Sequence, residues 1–282
     1  MSHQLYEKSG NPGSAYVLWP VVALPAATAL AAAYGYALVY IPFGGYVNLL
    51  LLGGFVLGVA QASSAALRFA KCRSDGAARL LGLVGGVFAL VASWLFFLAA
   101  LVGKGTNGNA LDTLRALVSE PAGSWEFVRA INVEGWYTIA GMTPSGLVLW
   151  CLWAVEAAAI VGGVYLVSRA ATSGSMFCET CGLWTAVVGS KRLAVPPGVT
   201  DGNFVDQDAA GFATLADAEA TATTFVRRDN LRCDACRKTS GHRFTFVVGK
   251  RDKDGKTEYD ETVHPAIVLA NDGAPATAGG AA

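Results

Sequence analysis

Tyr16-Val17-Leu18-Trp19-Pro20-Val21-Val22-Ala23-Leu24-Pro25 opens an apolar run that continues to Ile41 without one Asp, Glu, Lys, Arg or His. A helix of that length rises about 39 Å, more than the ~30 Å hydrocarbon layer of a bilayer. Its length and the want of a small-residue cleavage site argue against a removable signal peptide. Pro20 and Pro25 fall in the first turns, where a membrane helix tolerates them or kinks. Working outward, residues 1–15 read as a polar tail, and Pro42, Gly44 and Gly45 as a tight uncharged turn. Further spans are predicted over 46–67, 80–102 and 145–167, with a loop over 103–143.

Composition agrees. A chain 53% hydrophobic and only 15% charged is too apolar for an ordinary soluble protein of this size. The charges are also unevenly placed. Residues 1–168 hold eight Lys/Arg and seven Asp/Glu, while the shorter remainder holds 13 and 14. The first part therefore reads as embedded in lipid and the second as water-facing. A net charge of zero gives no basic surface for nucleic acid.

Orientation follows from the basic residues. Arg68, Lys71, Arg73 and Arg79 cluster between the second and third spans, which predicts that this connection is cytoplasmic. Alternation then puts both termini in the cytoplasm of an inner (cell) membrane and the 103–143 loop outside. Lys8 and Arg169 agree, whereas Lys104, Arg115 and Arg129 oppose, accompanied by Asp112, Glu120, Glu126 and Glu134.

Within the predicted bundle, Gly54-xxx-Gly58 and Gly82-xxx-Gly86 are small-residue pairs of the kind that lets helix backbones approach. Glu156 is the one acidic or basic residue inside a span. A carboxylate there is costly, so it should face the bundle interior, be protonated, or find a partner among Asn48, Gln61, Ser63, Ser64 and Ser93. In the outer loop, Leu111, Leu114, Leu117 and Val118 share a helical face behind the capping residue Asn109. After Pro121 and Gly123, Trp125, Phe127, Val128 and Ile131 repeat the spacing and lead to Trp136 and Tyr137. Two short helices on the outer membrane surface account for this pattern, and a lid over a lipid or substrate site is the sharper alternative.

The strongest chemical signal is Cys178-Glu179-Thr180-Cys181, answered after 51 intervening residues by Cys233-Asp234-Ala235-Cys236. Two CxxC pairs supply the four thiolates of a closed tetrahedral zinc site, and Gly182 suits the tight turn after the first pair. Four thiolates leave no open position for water, so the metal is expected to be structural Zn2+, with iron or a redox dithiol as alternatives. Cys72 and Cys151 lie in or beside apolar segments and read as small core residues. His242 and His264 are spare ligands that four sulfurs make unnecessary. Metal-bound cysteines belong in a reducing compartment, an independent argument for the cytoplasmic placement.

Over about residues 176–268 this pattern resembles the zinc-ribbon group of domains, borne on an otherwise four-span bacterial-type membrane protein. The resemblance implies two metal knuckles joined by an inserted loop or small sheet. The residues themselves suggest a linker over 170–175 and a zinc-ribbon-like domain over 176–270. Within that domain we expect a short Ala-rich helix over 215–222, a strand over 223–231, a hairpin of 243–250 with 256–263 turning at Asp254-Gly255, and a strand over 266–269. Residues 271–282 read as a disordered tail. The expected fold is thus a mostly α membrane protein, a four-helix transmembrane bundle with a small β-rich C-terminal domain.

No phosphate loop, HExxH pair or nucleophile elbow is present, so no catalytic residue is assigned. Arg227, Arg228, Arg232, Arg237 and Lys238 gather near the second knuckle and offer a surface to a protein partner, or to the acidic inner leaflet. The expected function is a membrane-anchored interaction or assembly module, with a homo-oligomer left open. A small transporter or channel subunit using Glu156 is the alternative; a lipid-modifying enzyme lacks a visible catalytic set.

Overall fold

The computed structural model describes residues 4–6, 8–41, 46–105, 109–136, 142–172, 175–200, 202–204, 209–212, 215–219, 221–251, 257–260 and 267–270. The turn at 42–45, Tyr137, His264, the Asp254-Gly255 turn and the 271–282 tail lie outside them. The chain forms two compact units, one of Pro12–Ala171 and one of Met1–Asn11 with Thr172–Ala282.

The first unit is helical: α1 (Ala15–Tyr40), α2 (Tyr46–Phe69), α3 (Asp75–Gly105), α4 (Ala110–Ser119), α5 (Pro121–Glu134) and α6 (Gly146–Ala170). Four of these, α1, α2, α3 and α6, are long and apolar enough to cross a membrane. The third begins five residues before its expected start. Ser74 Oγ accepts the Ala77 N–H (3.3 Å), so the helix starts in the polar connection where its first N–H groups find a partner. α1 runs unbroken through Pro20 and Pro25.

The long helices form a ring in the order α1, α2, α6, α3. The Ser14 N–H donates to the Ala70 carbonyl (3.1 Å), pinning the start of α1 to the end of α2. Near the same end, Gly82 of α3 lies against Ser168 of α6, where an added Cβ would sit 2.7 Å from the serine Cβ. The start of α1, the basic α2–α3 connection and the end of α6 therefore share one end of the bundle. Gly82-xxx-Gly86 is a true close approach, since a Cβ on Gly86 would meet Val161 Cα at 2.8 Å. Gly54-xxx-Gly58 is not: Gly54 faces open space, and Gly58 meets only the side chain of Leu30.

Apolar contacts run the length of the bundle, with Trp19, Leu67 and Leu81 near the basic end, Tyr34, Phe55 and Ile160 midway, and Phe97, Leu149 and Trp153 beyond. A chain of hydrogen bonds ties three helices together: Trp19 Nε1 donates to Ser63 Oγ (2.9 Å), which meets Ser168 Oγ at 2.8 Å. The outward face is as apolar as the inside. Leu50 and Leu147 are 75% and 80% exposed, among many such side chains, far beyond what water tolerates on one protein surface.

The second unit is a sheet. β1 (Gln4–Leu5), β4 (Ala186–Leu193), β5 (Thr224–Arg232), β6 (Ser240–Arg251), β7 (Thr257–Asp260) and β8 (Ile267–Ala270) follow the order β1-β8-β6-β5-β4, with β7 also paired to β6. A separate antiparallel pair joins β2 (Phe177–Cys178) to β3 (Leu183–Trp184). The expected hairpin is present as β6 and β7, and the expected last strand as β8.

Three differences from the sequence reading have physical causes. Gln4 and Leu5, placed in a polar tail, pair with Leu269 and Ala270 of β8; two residues carry no periodicity, and the partner is remote in sequence. α6 runs through Ala170, the first residue of the expected 170–175 linker, because its C-terminal N–H groups still find helical partners, and Thr172 is buried; residues 173 and 174 lie outside the described residues. Residues 215–219 form no helix. The Ala194 N–H donates to the Ala216 carbonyl and the Ala218 N–H to the Arg192 carbonyl, at 2.9 and 3.0 Å. The open edge of β4 claims this backbone, and alanine's helix preference is too weak to compete. A short helix instead spans α7 (Ala209–Phe212).

The sheet also has a core of its own. Leu193, Val226, Phe244 and Phe246 lie under Phe204 and Phe212, which the insert between the cysteine pairs supplies. The unit therefore buries substantial apolar area away from its cysteines.

Candidate metal centre

Both cysteine pairs sit at hairpin tips. The first is enclosed by β2 and β3, where Cys178 pairs with Leu183. The second lies between β5 and β6, whose last paired residues are Arg232 and Ser240. Each tip closes in the same way: the Gly182 N–H donates to the Cys178 carbonyl (2.8 Å) and the Arg237 N–H to the Cys233 carbonyl (2.9 Å). A residue count of two between the cysteines is what this turn requires to aim both sulfurs inward.

The four Sγ atoms of Cys178, Cys181, Cys233 and Cys236 lie within 4.8 Å of one another. Sulfurs about 2.3 Å from a tetrahedral zinc are separated by about 3.8 Å, and Cys178 Sγ and Cys236 Sγ are 3.7 Å apart. None of the six cysteines is in a disulfide. The donor set thus fits a metal ion, with Cys178 and Cys233 buried and Cys181 and Cys236 half-buried.

The surroundings favour thiolate at one position and thiol at another. Backbone N–H groups of Thr239 and Lys238 aim at Cys236 and lower its pKa to about 6. Cys181, hydrogen-bonded first to Cys236 and crowded by the other sulfurs, is pushed up to about 12. Thr239 Oγ1 donates to Cys178 Sγ at 3.1 Å. A divalent ion on four thiolates leaves two net negative charges, and the exposed Arg232, Arg237 and Lys238 flank the site with the opposite sign, alongside exposed Glu179 and Asp234.

The other expected site residues fall elsewhere. Successive strand residues face opposite ways, so on β5 Arg228 shares the face of Arg232 and Arg227 lies on the other. Arg227 is tied to Asp229, with Nε 3.4 Å from Oδ1. Asp229, only 2% exposed, also receives Arg243 Nη2 and Nε at 2.7 and 3.1 Å and the Ser190 hydroxyl at 2.6 Å. This ion-pair cluster across β4, β5 and β6 went unseen in the sequence, since only strand register brings its members together. His242 lies beside Asn230, Nδ1 to Oδ1 at 2.9 Å, outside the sulfur set. Cys72 is buried as expected, but Cys151 is exposed on the outward face of α6.

Glu156 faces the bundle interior, yet its partner is none of the residues proposed from sequence. The Tyr34 hydroxyl donates to Glu156 Oε1 at 2.7 Å, joining α1 to α6. Ser93 lines the same cavity of about 20 Å3 but donates to the Leu90 carbonyl in its own helix. That volume holds about one water. No family model, curated protein or solved structure matches this chain.

Proposed function

We propose that this chain is a multi-pass membrane protein, anchored in the cell membrane by α1, α2, α3 and α6, whose zinc-ribbon-like β unit acts as a cytosolic interaction or assembly module. The observation that carries this reading is the sulfur tetrad. Four thiolates complete the coordination of a structural zinc and leave no position for substrate or water, so the metal shapes a surface and performs no hydrolysis. The cytosolic placement is supported by the basic α2–α3 connection, which shares one bundle end with the start of α1 and the end of α6. Exposed Arg232, Arg237 and Lys238 at the second knuckle are the residues we assign to partner contact. The Tyr34–Glu156 bond beside a cavity with room for about one water favours a helix-joining role for the carboxylate over a transport path.

The test uses the full-length chain purified in detergent and cross-linked in its native membrane. The reading predicts a single zinc per chain by elemental analysis. Protein cross-links should vanish in Cys233→Ser and weaken in the double variant Arg237→Glu/Lys238→Glu, while Glu156→Gln leaves them intact. Partner capture that survives loss of the metal would sink the proposal.

A further inference from the structure

We infer that the bundle carries a binding site for one hydrocarbon chain of a membrane lipid, in the groove that α3 and α6 form beneath α4 and α5. The groove is open on one side and has room for about 660 Å3, within the ~300–1,000 Å3 of sites that take a small molecule. Trp94 and Leu98 of α3, Val118 of α4, Trp125 of α5, and Trp150 and Ala154 of α6 are among its walls. Among the described residues, no acidic or basic side chain lines it.

The roof helices are built to leave this space open. No residue of α4 is buried. Both arginines of the roof pair with acids at the surface, Arg115 with Asp112 and Arg129 with Glu126, both at 3.5 Å. Among the described walls no charge is offered to a headgroup, and the Ser124 hydroxyl is spent on the Leu117 carbonyl, so the chemistry that fits is saturated or unsaturated hydrocarbon. Four indoles frame it in sequence: Trp94 against Trp153 (4.8 Å between ring centres), Trp153 against Trp150 (5.1 Å), and Trp150 against Trp125 (5.6 Å). Rings with an apolar body and an N–H tip suit the level where chain meets headgroup.

The occupant is identified by what the groove adjoins. Exposed Val84, Val87 and Val91 make an apolar stripe along α3, and Val91 is itself a groove wall. The groove is thus continuous with the surface that faces acyl chains, and a chain enters it sideways without leaving hydrocarbon. This inference rests on the membrane reading above.

Proteoliposomes of phosphatidylcholine and phosphatidylglycerol, doped with phosphatidylcholine bearing a diazirine in one acyl chain, provide the test. After photolysis, groove residues should be labelled several-fold more than Leu49 and Leu50, which are more exposed on α2 but line no groove. Ala154→Leu should lower groove labelling and Ala154→Trp should lower it further, whereas Ala158→Trp, outside the groove, leaves it unchanged. Uniform labelling, or indifference to both Ala154 variants, overturns the site while the membrane reading stands. Protein recovered in a detergent-free soluble fraction overturns both.

Discussion

Gly182 and Arg237 hold the same left-handed backbone position in the two cysteine turns, with φ of +63° and +58°. Each donates its N–H to the carbonyl of the first cysteine of its pair. Glycine adopts this conformation at no steric cost, and an L side chain does not. The first knuckle is therefore relaxed and the second is strained. Arg237→Gly should stabilise the β unit by about 1 kcal/mol, and Gly182→Ala should destabilise it by a similar amount. Thermal melts of the metal-loaded protein decide it; an Arg237→Gly variant no more stable than the parent would mean that the second turn holds no such strain.

Metal binding should depend on pH with a definite sign. Cys181 is held at about 12, so at neutral pH it carries a proton that a metal must displace. Cys236, lowered to about 6, is already mostly thiolate. Each displaced proton raises apparent affinity by about tenfold per pH unit. Chelator competition between pH 6 and 8 should therefore show tighter binding at the higher pH. A flat profile would mean that thiols are not the ligands.

Gly86 and Gly54 look alike in sequence and should behave oppositely. A Cβ on Gly86 would press on the Val161 backbone at 2.8 Å, and backbone cannot swing aside as a side chain can. Gly86→Ala should cost about 1–3 kcal/mol through overpacking. Gly54 has nothing within 4 Å, so Gly54→Ala should be neutral or slightly stabilising through helix propensity. Unfolding of the detergent-solubilised bundle, followed by circular dichroism, separates them. Equal loss in both would mean that α3 and α6 do not pack through Gly86.

This contrast shows what was readable and what was not. The four long helices were legible because length and hydropathy are local properties of a segment, and the two cysteine turns because their spacing is itself the geometry. Which face of a helix meets its neighbour is not local, so Gly54 and Gly86 could not be told apart. The same limit hid Tyr34, 122 residues from Glu156 and in a different helix. It hid the Asp229 cluster, assembled by register across three strands, and the strand at Gln4, whose partner lies near the other end of the chain. Alanine content misled at 215–219, where a sheet edge outweighed propensity.

The Tyr34–Glu156 pair gives the last prediction. A hydrogen bond between helices in a bilayer contributes about 0.6 kcal/mol on average, up to roughly 2. Tyr34→Phe removes the donor but keeps the ring stacked on Phe55, whose centroid is 4.7 Å away, so the expected loss is about 1 kcal/mol. Glu156→Gln retains an oxygen that accepts from Tyr34, and its stability should match the parent. Thermal unfolding in detergent measures both. If Tyr34→Phe is silent while Glu156→Gln is severely destabilising, the carboxylate has a partner other than Tyr34. If both are silent for stability but Glu156→Gln abolishes ion or proton flux in proteoliposomes, the transporter alternative replaces the helix-joining role.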